Sequence, residues 1–69
     1  MATRYFELSD GKSHKFWEIR VEGTSHTVRY GRIGTNGTTK TKDFADAAAA
    51  TADAAKLIEQ KVKKGYEES

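Results

Sequence analysis

The residues best equipped for chemistry sit in one short stretch, Val28 to Gly37, which reads VRYGRIGTNG. Tyr30 offers a flat ring with a polar tip, and Arg32 offers a planar guanidinium that suits phosphate or carboxylate. Arg29 adjoins them, and Lys40 and Lys42 follow a few residues later. An aromatic ring with several cations is the composition of a surface that contacts sugars, bases and phosphates. The same residues also suit a plain sheet surface with solubilising charges. Gly31, Gly34 and Gly37, spaced three apart, raise the question of a phosphate-cradling loop. Their spacing, G-x-x-G-x-x-G, is not the G-x-G-x-x-G of dinucleotide sites, and no Walker lysine follows. GRIG matches the G-x-x-G of KH domains in form, but it lies at the end of a strand rather than between helices. The glycines are therefore expected to serve backbone geometry.

Other chemistry is poorly supplied. The chain has no cysteine, so it has neither a thiol nucleophile nor a thiolate metal ligand. His14 and His26 are twelve residues apart with no adjacent acid to orient them, and surface roles are expected for both. No catalytic residue, metal or other cofactor is expected, and the chain reads as a non-enzyme. No apolar run approaches the ~18 residues of a membrane span, and the start carries no signal-peptide pattern. A cytoplasmic monomer with no membrane attachment is expected. The net charge is only +2, yet eight of the twelve Lys and Arg residues precede Phe44, against five acids there. That asymmetry allows a basic face on the first part of the chain.

The elements that must position these groups follow from hydrophobic period. Thr3–Leu8 alternates and is aromatic-rich. In Lys15–Glu22 (KFWEIRVE), Trp17, Ile19 and Val21 recur at period two, the pattern of a strand with one buried side. Thr27–Ile33 forms a third strand. Asn36-Gly37 turns the chain, and Thr38–Lys42 is a polar, lysine-bearing edge. Strict alternation puts Val28, Tyr30 and Arg32 on one side, so a bulge or kink at Gly31 is expected to re-aim Arg32 away from the core. Trp17, Phe6, Phe16 and Phe44 are expected core residues, with Phe16 on the opposite pleat from Trp17.

From Phe44 the period becomes helical. Asp43 is the expected cap, and Phe44, Ala47, Ala48, Thr51, Ala55, Ile58 and Val62 form the expected buried stripe, with Asp53, Lys56, Gln60 and Lys63 opposite. Gly65 is the natural residue after the helix, with Tyr66 folding back. The fold class is α+β: a four-stranded antiparallel sheet followed by one long C-terminal helix packed on one face. A single domain is expected over 3–66, with 67–69 as a disordered tail.

Taken in order, KFWEI, VRYGRIGTNG, the Phe that opens the helix and KLIEQKVKKGY resemble the WGR domain over nearly the whole chain. The family's Trp-Gly-Arg triplet stands here as Tyr30-Gly31-Arg32, a form similar to stand-alone and molybdate-regulator-like bacterial members. The resemblance implies an antiparallel sheet with a helix. It also implies nucleic-acid binding, with DNA as the expected partner, near strand ends, as in the DNA-damage-activated poly(ADP-ribose) polymerases. By position, Tyr30 would stack on sugar or base. Arg32 would bind phosphate or bridge to a partner, and Arg29, Lys40 and Lys42 would add phosphate contacts. The alternative is a module that docks a protein partner through the same aromatic-Arg surface.

Overall fold

In the computed structural model, residues 3–68 are described. They form β1 (Arg4–Ser9), β2 (His14–Glu22), β3 (Ser25–Arg32), β4 (Thr38–Asp43), α1 (Ala47–Lys63) and β5 (Glu67–Glu68). The architecture is α+β with an antiparallel sheet, as the periodicity predicts. The sheet has five strands rather than four, in the order β4-β3-β2-β1-β5. Glu67 and Glu68, placed by sequence in a tail, pair with Glu7 and Phe6 of β1. Two Arg4–Glu68 hydrogen bonds, of 2.8 and 2.7 Å, hold that short strand. The guanidinium lowers the Glu68 carboxyl below the usual carboxylate range. Ser69 lies outside the described residues.

Each turn has a visible cause. Asp10 closes β1–β2 because one carboxylate oxygen accepts the backbone N–H groups of Lys12 and Ser13, at 2.8 and 2.7 Å. The β3–β4 turn brings two backbones almost into contact. A Cβ on Gly37, where φ is +74°, would lie 2.5 Å from the Tyr30 carbonyl oxygen and 2.7 Å from the Phe16 ring. A Cβ on Gly31 would lie 2.9 Å from Gly37 Cα. These two glycines permit close approach. The expected bulge at Gly31 does not occur: pairing with β2 runs unbroken through Trp17–Tyr30, Phe16–Gly31 and Lys15–Arg32. No re-aiming is required, because β3 outruns the core. Along it burial fades from Val28 through Tyr30 to an exposed Arg32.

Phe6, Trp17, Ile19, Val28 and Ala54 form one buried cluster, with Val21, Tyr30, Leu57, Ile58 and Tyr66 packed around it. Phe16 is also buried, but on the other side of the sheet, stacked 5.9 Å from Tyr5 and beneath the Arg29 guanidinium.

The helix differs from expectation in start and phase. Asp46, not Asp43, is the N-cap; its carboxylate accepts the Ala49 N–H at 2.7 Å, and Asp43 ends β4. The buried helix positions are Ala50 and Ala54, with Leu57, Ile58 and Lys61 half-buried, while Val62 is 53% exposed. Alanines carry almost no phase information, and Phe44 precedes the helix, so Phe44 and Val62 set the wrong stripe. At the C-terminus, Gly65 N–H bonds Val62 O and Tyr66 N–H bonds Lys61 O, both at 3.1 Å. This double bond pattern with Gly65 at φ +106° returns Tyr66 to the core.

The same change of phase turns Asp53 toward the sheet. His26, expected at the surface, is 4% exposed, and its Nε2 donates to Asp53 Oδ2 at 2.7 Å. The ring also packs on Phe44 at 5.1 Å. This hydrogen bond holds the Asp53 carboxyl below its ordinary range, with Lys42 adding to the effect. A lowered carboxylate stabilises the fold above about pH 4, and the contribution is lost as pH falls through the lowered value. Asp53→Ala leaves a buried imidazole without this partner and is expected to lower stability by ~1–3 kcal/mol at pH 7. The loss should shrink below the titration of Asp53, measured by urea denaturation across pH. Gly37→Ala is expected to cost more than ~1 kcal/mol. Gly11→Ala, with nothing within 4 Å of the added carbon, is expected to stay within ~1 kcal/mol of the parent by the same measurement.

Candidate nucleic-acid interface

Register divides the expected contact residues between two sides of the sheet. Tyr30 opposes Trp17 and Thr38, Val28 opposes Ile19 and Lys40, and His26 opposes Val21 and Lys42. Tyr30, Arg32, Lys40 and Lys42 therefore share the core side, carried by β3 and β4. Arg29 opposes Glu18 and Thr39 and belongs to the other side. There its Nε donates to Glu18 and its Nη1 to the Asn36 carbonyl, and its guanidinium sits 4.8 Å from the Phe16 ring centre. With its charge paired and its face occupied, Arg29 is separated from Tyr30 and Arg32.

Arg32 is placed differently. Its carbonyl accepts from the Thr35 N–H at 3.1 Å and the Thr35 hydroxyl at 2.7 Å, which anchors the backbone. Its guanidinium makes no hydrogen bond or ion pair among the described residues and is exposed. The two loops that flank it come together through the Ile33 N–H on the His14 carbonyl at 3.0 Å.

Two residues that sequence reasoning missed complete the patch. Lys15 stands directly opposite Arg32 on β2. Lys61 reaches over from α1, its ammonium 5.8 Å from the Trp17 ring centre and 5.4 Å from that of Tyr66. Lys15, Tyr30, Arg32, Lys61 and Tyr66 line one recess at the open end of the core. On the other side of Tyr30, Lys40 places its ammonium 5.9 Å from the Tyr30 ring centre. Lys61 was detectable in principle: it continues the stripe Ala50, Ala54, Leu57 and is the cation on an otherwise apolar helix face.

The electrostatics favour an anion. Burial pushes the Lys61 ammonium below the ordinary lysine value, and repulsion from Lys64 and Lys15 lowers it further. The ion pairs among the described residues lie elsewhere: Arg4–Glu68, Arg20–Glu22, His26–Asp53, Arg29–Glu18 and Lys63–Glu59. Lys15, Arg32, Lys40 and Lys61 are thus cations without a carboxylate partner, set around a half-buried tyrosine. Nothing in the arrangement pairs a nucleophile with a base. Among the described residues no group of His, Asp and Glu could hold a metal ion, and no helix is long and apolar enough to cross a membrane.

An anion that screens this repulsion stabilises the folded state by mass action. Adding inorganic polyphosphate should raise the melting temperature of the parent. Lys61→Met, which keeps an apolar stem over Trp17 and Tyr66, should reduce that increase by at least half in paired thermal melts.

The WGR domain family model matches residues 2–69. The chain is 46% identical over 65 residues to protein YehF of Escherichia coli K12, covering 94% of this chain and 24% of the relative. It is also 46% identical over 63 residues to the uncharacterized protein YfeS of the same organism, covering 91% of this chain and 26% of the relative. A crystal structure of a Bacteroides fragilis protein superposes with a TM-score of 0.96 at 48% identity, over 99% of this chain and 19% of the other. The chain spans about a quarter of the length of the curated relatives it matches.

Proposed function

Since the chain belongs to the WGR domain family, a family generally tied to nucleic-acid binding, we propose that it is a non-enzymatic DNA-binding module acting in the cytoplasm, with Tyr30 and Arg32 at the centre of its contact surface. The observation that carries this reading is the grouping of Arg32, Lys15, Lys61 and Lys40 around Tyr30 with no carboxylate partner. Tyr30 stacks on a sugar or base near a strand end, and Arg32 binds a phosphate. Tyrosine in place of the family's tryptophan reduces the stacking area but keeps the interaction. Lys40 and Lys42 track the backbone on one side, and Lys15 and Lys61 on the other. Arg29 takes no part in this surface, being held by Glu18 across the sheet.

Binding through a few phosphates is weak, with Kd of ~10⁻⁴–10⁻⁶ M at physiological salt, and it falls as salt rises. The test is titration of labelled single-stranded, blunt and 5′-phosphorylated nicked DNA at two salt concentrations. Tyr30→Ala should cost ~1–3 kcal/mol of binding. Arg32→Ala should weaken all substrates alike and reduce the salt slope by about 1. Arg29→Ala should leave affinity unchanged. Absence of binding at low salt by a folded sample, or full affinity in both Tyr30 and Arg32 variants, would overturn the proposal.

A second reading, docking of a protein partner, is favoured by one observation: β4 is an edge strand exposed along its whole length. Such an edge can accept an added strand. A partner that co-purifies unchanged after nuclease treatment would support this reading over the first.

A further inference from the structure

The core side of the sheet carries a groove that shares Tyr30, Lys40, Lys42 and Lys61 with the proposed contact surface and extends it away from Arg32 toward Leu57 and Gln60. It runs between β4 and α1 with a volume of about 480 Å³, within the ~300–1,000 Å³ typical of small-ligand sites. Tyr30 and Leu57, both half-buried, line it together with the buried Trp17 and Val28. Lys40 and Lys42 stand on the strand rim, and Gln60 and Lys61 on the helix rim. No lysine of these three forms an ion pair among the described residues. The nearby acid, Asp53, is engaged by His26. His26 lines the groove as well, and its buried Nδ1 has no hydrogen-bond partner among the described residues.

An apolar floor with an aromatic ring selects a flat, weakly solvated group, and three cations on both rims select an anion on either side of it. A nucleotide within a strand has this form: one planar base between two phosphates. We propose that the groove holds one unpaired nucleotide of a bound strand, its base against Tyr30 and Leu57 and its flanking phosphates on Lys40, Lys42 and Lys61. This rests on the nucleic-acid reading above and adds a preference for strands that offer an unstacked base. The Gln60 carboxamide both donates and accepts, which suits the edge of any base without selecting one. A paired base, stacked on its neighbours, cannot enter until it is unstacked, so fully paired duplex must bind without filling the groove.

The test compares affinities at low salt, by fluorescence anisotropy, for a nicked duplex, the same duplex with a one-nucleotide bulge, and a single strand. The bulged duplex and single strand should bind at least about fivefold tighter, the lower end expected for stacking one base. Gln60→Glu, which puts a negative charge on the exposed helix rim, should abolish that advantage. Ala52→Glu, the same charge at an exposed position outside the groove lining, should preserve it. Amide NMR shifts of Thr41, Leu57 and Gln60 should appear with the single strand. Equal affinity for paired and unpaired probes, or an advantage that survives Gln60→Glu, overturns the groove assignment while leaving nucleic-acid binding intact. Failure of every probe to bind overturns both. Shifts in the groove caused by a Glu-Tyr copolymer, without preference for unpaired DNA, would overturn it in favour of a protein ligand.

Discussion

A chain of this length can bury only a few large side chains; all but Phe16 lie on one side of the sheet, and Trp17 is at the middle of that cluster. It meets Phe6 at 5.7 Å, opposes Tyr30 across the β2–β3 ladder and lies beneath the Lys61 ammonium. Burial of apolar area is the main favourable term available to a protein with neither disulfide nor metal pattern. The indole therefore serves the fold and the proposed contact surface together. It sets the height of Tyr30 at the edge of the core, and it gives Lys61 an aromatic seat that partly offsets the cost of desolvating a cation.

This sharing explains why the proposed contact surface lies where the core ends. Inside the cluster an unpaired cation would be too costly. Farther out on the sheet it would be an ordinary solvated charge with little preference for any ligand. At the boundary, Lys61 and Tyr30 are half-buried, and a bound anion gains more there than in full solvent. The other side of the sheet shows the contrast. Arg29 and Glu18 neutralise each other over Phe16.

The His26–Asp53 hydrogen bond links strand to helix in a different way. Core side chains resist separation of α1 from the sheet but do little to specify rotation of an alanine-rich helix about its axis. A directional bond from a buried ring to a carboxylate twenty-seven residues away favours one rotation. That rotation is the one that brings Leu57, Gln60 and Lys61 toward β4, so the groove depends on a polar contact made by His26, one of its own lining residues.

Much of this was determined by sequence. Period two around Trp17, the turn at Asn36-Gly37, the helix end at Gly65 and the pairing of Tyr30 with Arg32 on one side all follow from local geometry, because alternation and glycine conformations need no distant partner. Tertiary structure alone decided the rest. Which face of an alanine-rich helix is buried is invisible when Ala47 through Ala50 are alike, so the stripe, and with it Lys61, depended on what the sheet presented. The placement of Arg29 on the side of the sheet away from Tyr30 follows from its ladder position opposite Glu18. The burial of His26 and the fifth strand at Glu67–Glu68 required partners at Asp53 and Arg4, and contacts between residues so far apart in the chain exist only once the sheet and helix have assembled.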